Sequence, residues 1–141
     1  MADEPVASLD VSIQAQILVM LQRLRQSRGL TMLFISHDVS VVHYIADRIA
    51  VMYRGRIVEL GNAADVITSP RHPYTRALLS SVPGARTGNA PPGGEIETSA
   101  YSGEGCPFRP RCAYAQPCCA EKPPVLVNVG GGHSHACMVS Q

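Results

Sequence analysis

Thr31-Met-Leu-Phe-Ile-Ser-His-Asp38 is the stretch on which the fold turns. Its first five residues, Thr31 to Ile35, form a nearly all-apolar run of strand length, and such runs occur where a parallel strand is buried on both faces. The run ends at the polar Ser36-His37-Asp38. On its N-terminal side Asp10 can cap a helix beginning near Val11. Ile13, Ile17, Leu21 and Leu24 then share one face, with Met20 beside them, while Gln14, Gln16, Gln22, Arg23 and Arg25 fill much of the remainder and Gly29 supplies a stop. On its C-terminal side Asp38 can cap a second helix, with Val39, Val42 and Ile45 on one side and an end near Ala46 or Asp47.

Beyond these helices, Ile49–Tyr53 and Ile57–Leu60 flank Arg54-Gly55, a hairpin turn in which Gly supplies the positive φ. Asn62 with Asp65 resembles a capping box opening a short helix that Pro70 closes, and Pro73 stands at the entry of another helix running through Leu79. The order helix, strand, helix, hairpin, helix, helix is that of one edge of an α/β sheet. From Pro83 onward Gly and Pro are dense and periodicity disappears, so residues 83–104 form a linker and 105–141 an irregular cysteine-bearing tail.

Size and composition set limits. At 141 residues there is room for one small domain, or for part of a larger one with an appendage. Twelve Lys and Arg stand against eleven Asp and Glu, which leaves no electrostatic footprint for nucleic acid. Apolar stretches are broken by charge well short of the roughly 20 residues of a membrane span, and the start lacks the basic and apolar segments of a secretion signal. A cytosolic setting is expected, in which thiols stay reduced. All five cysteines lie between Cys106 and Cys137, which in that setting favours a metal site over disulfides.

The first ten residues, Met-Ala-Asp-Glu-Pro-Val-Ala-Ser-Leu-Asp, place adjacent acids at Asp3 and Glu4, a proline after them and a third acid at Asp10. Such acids suit two jobs: holding a magnesium ion through its water, and taking a proton from an attacking water. No phosphate loop of the form G-x-x-x-x-G-K-[ST] occurs in the chain, so nothing in it grips β- and γ-phosphates. His37 follows the acids by one helix and one strand. It lies just past a strand end, where α/β sheets expose ligand-contacting side chains.

Asp3-Glu4-Pro5 with Ser8-Leu9-Asp10 resembles the Walker B end and D-loop of ABC-transporter ATPases, although Ala7-Ser8 stands where that family commonly has Ser then Ala. Phe34-Ile35-Ser36-His37-Asp38 resembles their switch-histidine motif, and Asp47 through Glu59 extends the likeness to the hairpin. The resemblance implies magnesium-water coordination for Asp3, general-base work for Glu4, γ-phosphate contact and water orientation for His37, and communication across a subunit dimer for Asp10. Pro70-Arg-His-Pro-Tyr-Thr75 is similar to a stretch typical of the oligopeptide and dipeptide importers. No chemistry is assigned to His72.

In the tail, Cys106-Pro-Phe-Arg-Pro-Arg-Cys112, Cys118-Cys119, His133, His135 and Cys137 contain no Cys-x-x-Cys pair, which argues against an ordinary zinc ribbon. Thiolates spread so widely suit a cuboidal cluster, and zinc held by thiolates with His133 or His135 is the principal alternative. Resemblance to the C-terminal extension of peptide-importer ATPases implies a 4Fe-4S cluster on Cys106, Cys112, Cys119 and Cys137, with Cys118 as an extra thiol. The same family places a second ATP-binding subunit, transmembrane permease subunits and, indirectly, a peptide-binding protein around the molecule, at the inner face of the cell membrane, using ATP and Mg2+.

The expected architecture is thus α/β: residues 1–82 as the C-terminal portion of an ABC ATPase domain at the edge of a mainly parallel sheet, then linker and extension. The phosphate loop, the Gln loop and the Ser-Gly-Gly signature are absent from the chain, so the isolated chain is expected to be inactive and prone to self-association. The rival reading is a non-enzymatic iron-sulfur or zinc interaction module.

Overall fold

A computed structural model describes residues 1–82 and 103–139 of the chain. Contacts gather into two compact units, Met1–Ala46 and Asp47–Gln141. Most of the expected linker at 83–104 lies outside the described residues.

In the first unit, β1 (Ala2–Asp3) pairs in parallel with β2 (Phe34–Ile35), Ala2 opposite Phe34 and Asp3 opposite Ile35. Helix α1 (Val11–Arg28) joins them, as a parallel crossover requires. Asp10 caps it, its carboxylate accepting the Ser12 and Ile13 N–H groups at 3.1 and 3.0 Å, and Gly29 closes it with its N–H on the Arg25 carbonyl. Helix α2 (Val39–Ile45) is capped in the same way by Asp38.

The apolar faces differ from those expected. Leu18 is the one α1 residue fully buried, joining Val6, Val41 and Ile45 with Ile17, Leu21, Leu9, Met32 and Phe34 around them. Ile13, Met20 and Leu24 are exposed, and α2 buries Val41 where Val42 was expected. The strand is also shorter than the Thr31–Ile35 run and is not covered on both faces, for Leu33 and Ile35 are exposed. Its only strand partner among the described residues is β1.

The second unit is a four-stranded antiparallel sheet ordered β3-β4-β6-β5, built from β3 (Arg48–Tyr53), β4 (Arg56–Asn62), β5 (Val127–Gly130) and β6 (His133–His135). A mainly parallel sheet was expected. Among the described residues only the two-residue pair is parallel; tight turns close the β3–β4 and β5–β6 hairpins, and β6 also runs antiparallel to β4. Arg54 and Gly55 both take positive φ, 47° and 75°, which makes the β3–β4 turn the two-residue form that suits strand twist. The tail, expected to be irregular, contributes β5, β6, a short 3-10 turn (Arg109–Arg111) and α5 (Cys118–Glu121).

Two short helices cover the sheet. In α3 (Ala63–Thr68) Asn62 makes no side-chain bond to the helix backbone and instead donates to Asp65 at 3.1 Å, so the expected capping box is incomplete. Pro73 opens α4 (Pro73–Ser80), as its position implied. Val51, Val58 and Val66 form the core with Ile49, Tyr53, Tyr74 and Leu78 against it. Phe108 brings the tail to that core: its ring lies 5.4 Å from Tyr53 and 5.5 Å from Tyr74, and it is buried.

The cap of α4 is His72, whose Nδ1 accepts the Tyr74 N–H at 3.1 Å and therefore must be unprotonated. Burial pushes the imidazole down from 6.5 to about 4, with Glu59 pulling upward and His135 adding to the depression. Because the folded value lies below the unfolded one, the stabilisation is complete above pH 6.5 and is lost as pH falls towards 4. At about 1.4 kcal/mol per pKa unit it amounts to on the order of 3 kcal/mol. Urea-unfolding free energies should fall over that pH window, and His72→Gln, which cannot charge, should flatten this part of the profile. Superimposable profiles for the two chains would contradict the assignment.

Candidate functional site

Two sites emerge, one in each unit. The first stands at the carboxyl ends of the parallel pair. Glu4 follows β1, its N–H donating to the Ile35 carbonyl at 2.9 Å, and then turns with φ 43°, in the left-handed region. Non-glycine residues seldom sit there, and such strain gathers at functional positions. His37 lies two residues past β2, and its Nδ1 is 2.9 Å from Glu4 Oε1. As a carboxylate Glu4 can only accept, so Nδ1 carries the hydrogen. The hydrogen bond to Glu4, followed by that carboxylate's charge, raises the imidazole pKa above 6.5, while slight desolvation opposes and Asp38 adds a little.

The side chains of His37 and Glu4 are 73% and 50% exposed, so their pairing adds little to stability. What it does is orient two groups toward open space. The second carboxylate oxygen and the ring Nε2 are the atoms this contact does not use. Asp3 is exposed beside Glu4 at the end of β1, and Asp10 is exposed while its carboxylate caps α1.

The second site lies in the tail. Cys106, Cys112, Cys119 and Cys137 line one small cavity together with His72, Phe108 and Tyr114, and Cys118 is not among its lining residues. The space between atoms there is about 320 Å³, its opening to solvent included. All five cysteines are free thiols. The loop that presents Cys106 presses on α5: its N–H donates to the Cys119 carbonyl at 2.8 Å. Gly105 makes that approach possible, since its φ is +73° and a Cβ would lie 2.4 Å from the same carbonyl oxygen.

Burial pushes the Cys106, Cys112 and Cys137 thiols up, and the neighbouring sulfurs add to the shift. The thiols are therefore neutral in the bare chain, and any cation they hold must displace protons. No three His, Cys, Asp or Glu side chains among the described residues stand close enough to hold one metal ion.

Glu59 went unnoticed in the sequence. Its carboxylate is wholly buried, accepting the Arg71 N–H at 2.7 Å and the His72 N–H at 2.9 Å, with His133 Nε2 at 2.7 Å. Strict alternation in β4 would send either Val58 or Glu59 to solvent. The register slips there, Val51 opposing Glu59 and Met52 opposing Ile57, and this bulge buries both. The one available signal was an acid inside an otherwise apolar strand. An unpaired carboxylate in such a place would cost several kcal/mol, which is why three donors converge on it. His133 and His135, considered above as zinc ligands, are buried in β6, and His133 is spent on Glu59.

Residues 58–119 match the family described as the oligopeptide/dipeptide transporter, C-terminal region. The matched span holds Glu59, His72-Pro73-Tyr74 and three of the four cavity cysteines. A peptide import ATP-binding protein of Brucella ovis is 51% identical over 141 residues, covering 97% of this chain and 44% of its own length. The oligopeptide transport ATP-binding protein AppF of Bacillus subtilis is 44% identical over 142 residues, 96% of this chain and 43% of its own. The chain thus spans less than half the length of these relatives.

NMR titration of the His37 ring should give a pKa above 6.5 that drops back toward that value in Glu4→Gln. The sign follows from the pair: the Glu4 carboxylate favours imidazolium, so the attraction operates below the raised pKa while Glu4 is ionised and fades as pH rises through it. An unchanged titration in the variant would contradict the contact.

Proposed function

We propose that the chain is the C-terminal part of an ATP-binding protein of the oligopeptide and dipeptide importers, as the family match and the relatives above support, and that it supplies the hydrolytic half of an ATP site and carries a metal-binding tail. The contact of Glu4 with His37 at the ends of two adjacent parallel strands carries this reading. In it, Asp3 holds magnesium through water, Glu4 takes the proton from the attacking water, and His37 orients that water against the γ-phosphate. Asp10 faces the partner ATP-binding subunit across the dimer.

Phosphate binding falls to polypeptide outside this sequence, and the chain by itself does not hydrolyse ATP. The whole assembly couples hydrolysis to peptide uptake through permease subunits, with a peptide-binding protein acting upstream. It works peripherally at the inner face of the membrane, and no described helix is long and apolar enough to cross it.

For the tail we propose a 4Fe-4S cluster on Cys106, Cys112, Cys119 and Cys137. What supports this reading is that the four thiols line one cavity. A single zinc draws its sulfurs to about 2.3 Å from one point, whereas a cluster places its irons at separate corners. When bound, such a group supplies a redox-active or purely structural centre, and Arg76 lies near enough to Cys137 to favour its thiolate.

A chimera in which this chain replaces the corresponding part of the Bacillus subtilis protein should hydrolyse ATP in the presence of magnesium. Glu4→Gln should reduce its kcat by about 100-fold or more while leaving nucleotide affinity nearly unchanged. An unaffected turnover would overturn the role of Glu4. Anaerobic iron and sulfide analysis of the chain should find about four of each, lost in Cys112→Ser and retained in Cys118→Ser. Zinc in their place would refute the cluster.

A further inference from the structure

We propose that Glu59 is a positioning residue for the cysteine cavity, fastening to one strand the two chain segments that close it. The inference rests on the reading of that cavity as a metal site, but its geometry stands apart from any metal.

Glu59 lies in β4 and touches no cysteine. One of its oxygens accepts the Arg71 N–H and meets His133 Nε2, and the other accepts the His72 N–H. The first two donors at residues 71 and 72 hold the turn into α4, and His72 itself lines the cavity beside Pro73. The third donor, His133, begins β6, which delivers Cys137 four residues later. Two further contacts fix that delivery: the Ala136 N–H donates to the Val58 carbonyl at 2.8 Å, and His135 stands opposite Glu59 in the ladder.

Gly61 completes the arrangement. A Cβ there would come within 3.1 Å of the His133 ring and of Val66, so the ring packs directly over the β4 backbone. Cys106 and Cys119 are tied to each other by a backbone hydrogen bond that owes nothing to Glu59. Among the described residues Cys137 has no such backbone tie to the other three, and it follows shortly after β6. A carboxylate that pins β6 therefore decides whether the fourth thiol stands with the others.

The test measures alkylation of reduced, metal-free chain, with Cys137 and Cys118 followed by mass spectrometry as site and internal reference. In Glu59→Ala, and independently in His133→Phe, the rate at Cys137 relative to Cys118 should rise on the order of tenfold, because opening of a segment exposes its protected thiol. The rates at Cys106 and Cys119 should change far less. His133→Phe leaves Glu59 on the Arg71 and His72 amides, so it reads the effect on β6 even if Glu59→Ala fails to fold. An unchanged Cys137 rate in His133→Phe, or an equal rise at all four cysteines, would overturn the proposal. Iron loading of the natural chain is measured in parallel: failure to take up iron refutes the cluster while leaving the alkylation result to decide the role of Glu59.

Discussion

A carboxylate with no access to water must be satisfied entirely by the protein, and around Glu59 that requirement organises the second unit. The donors come from segments 12, 13 and 74 residues away along the chain. Meeting them brings the start of α4 and the strand β6 to the same point on β4. The cost of leaving any donor out makes these placements depend on one another, so the tail is part of the sheet and not an appendage hung from it. Phe108 against Tyr53 and Tyr74 adds apolar area to the same join.

The two sites follow different physical rules. Glu4 and His37 are open to solvent, and their closeness reflects where two parallel strands end. Little energy is stored in the contact itself; the unusual φ of Glu4 is what turns its side chain. The cysteine cavity is partly buried, and there desolvation pushes the Cys106, Cys112 and Cys137 thiols up.

Local chemistry was legible in the sequence wherever one residue does one job. Asp10 and Asp38 cap helices, Gly29 ends one, Pro73 begins another, and Arg54-Gly55 turns the hairpin. The return of His37 to the sheet edge that carries Glu4 was legible too, because a strand-helix-strand unit brings the chain back there, whereas their direct hydrogen bond was not. Packing was less so. Periodicity favoured Ile13 and Leu24 on α1, yet Leu18 is the residue that meets Val6, Val41 and Ile45. The burial of Glu59 depends on a one-residue bulge, which no alternating pattern displays. Strands β5 and β6 escaped notice because Val127–Gly130 and His133–His135 are short, and the second is polar. Their pairing depends on β4, some seventy residues earlier.

The most direct measurement of the account is amide hydrogen exchange on the natural chain, comparing residues 133–136 and the amides of Arg71 and His72 with the β3–β4 ladder. If Glu59 holds these segments, their amides should exchange as slowly as those of β4 and with the same dependence on denaturant. Rapid exchange at 133–136 beside a protected hairpin would show that the tail is not fastened to the sheet, and would contradict the account.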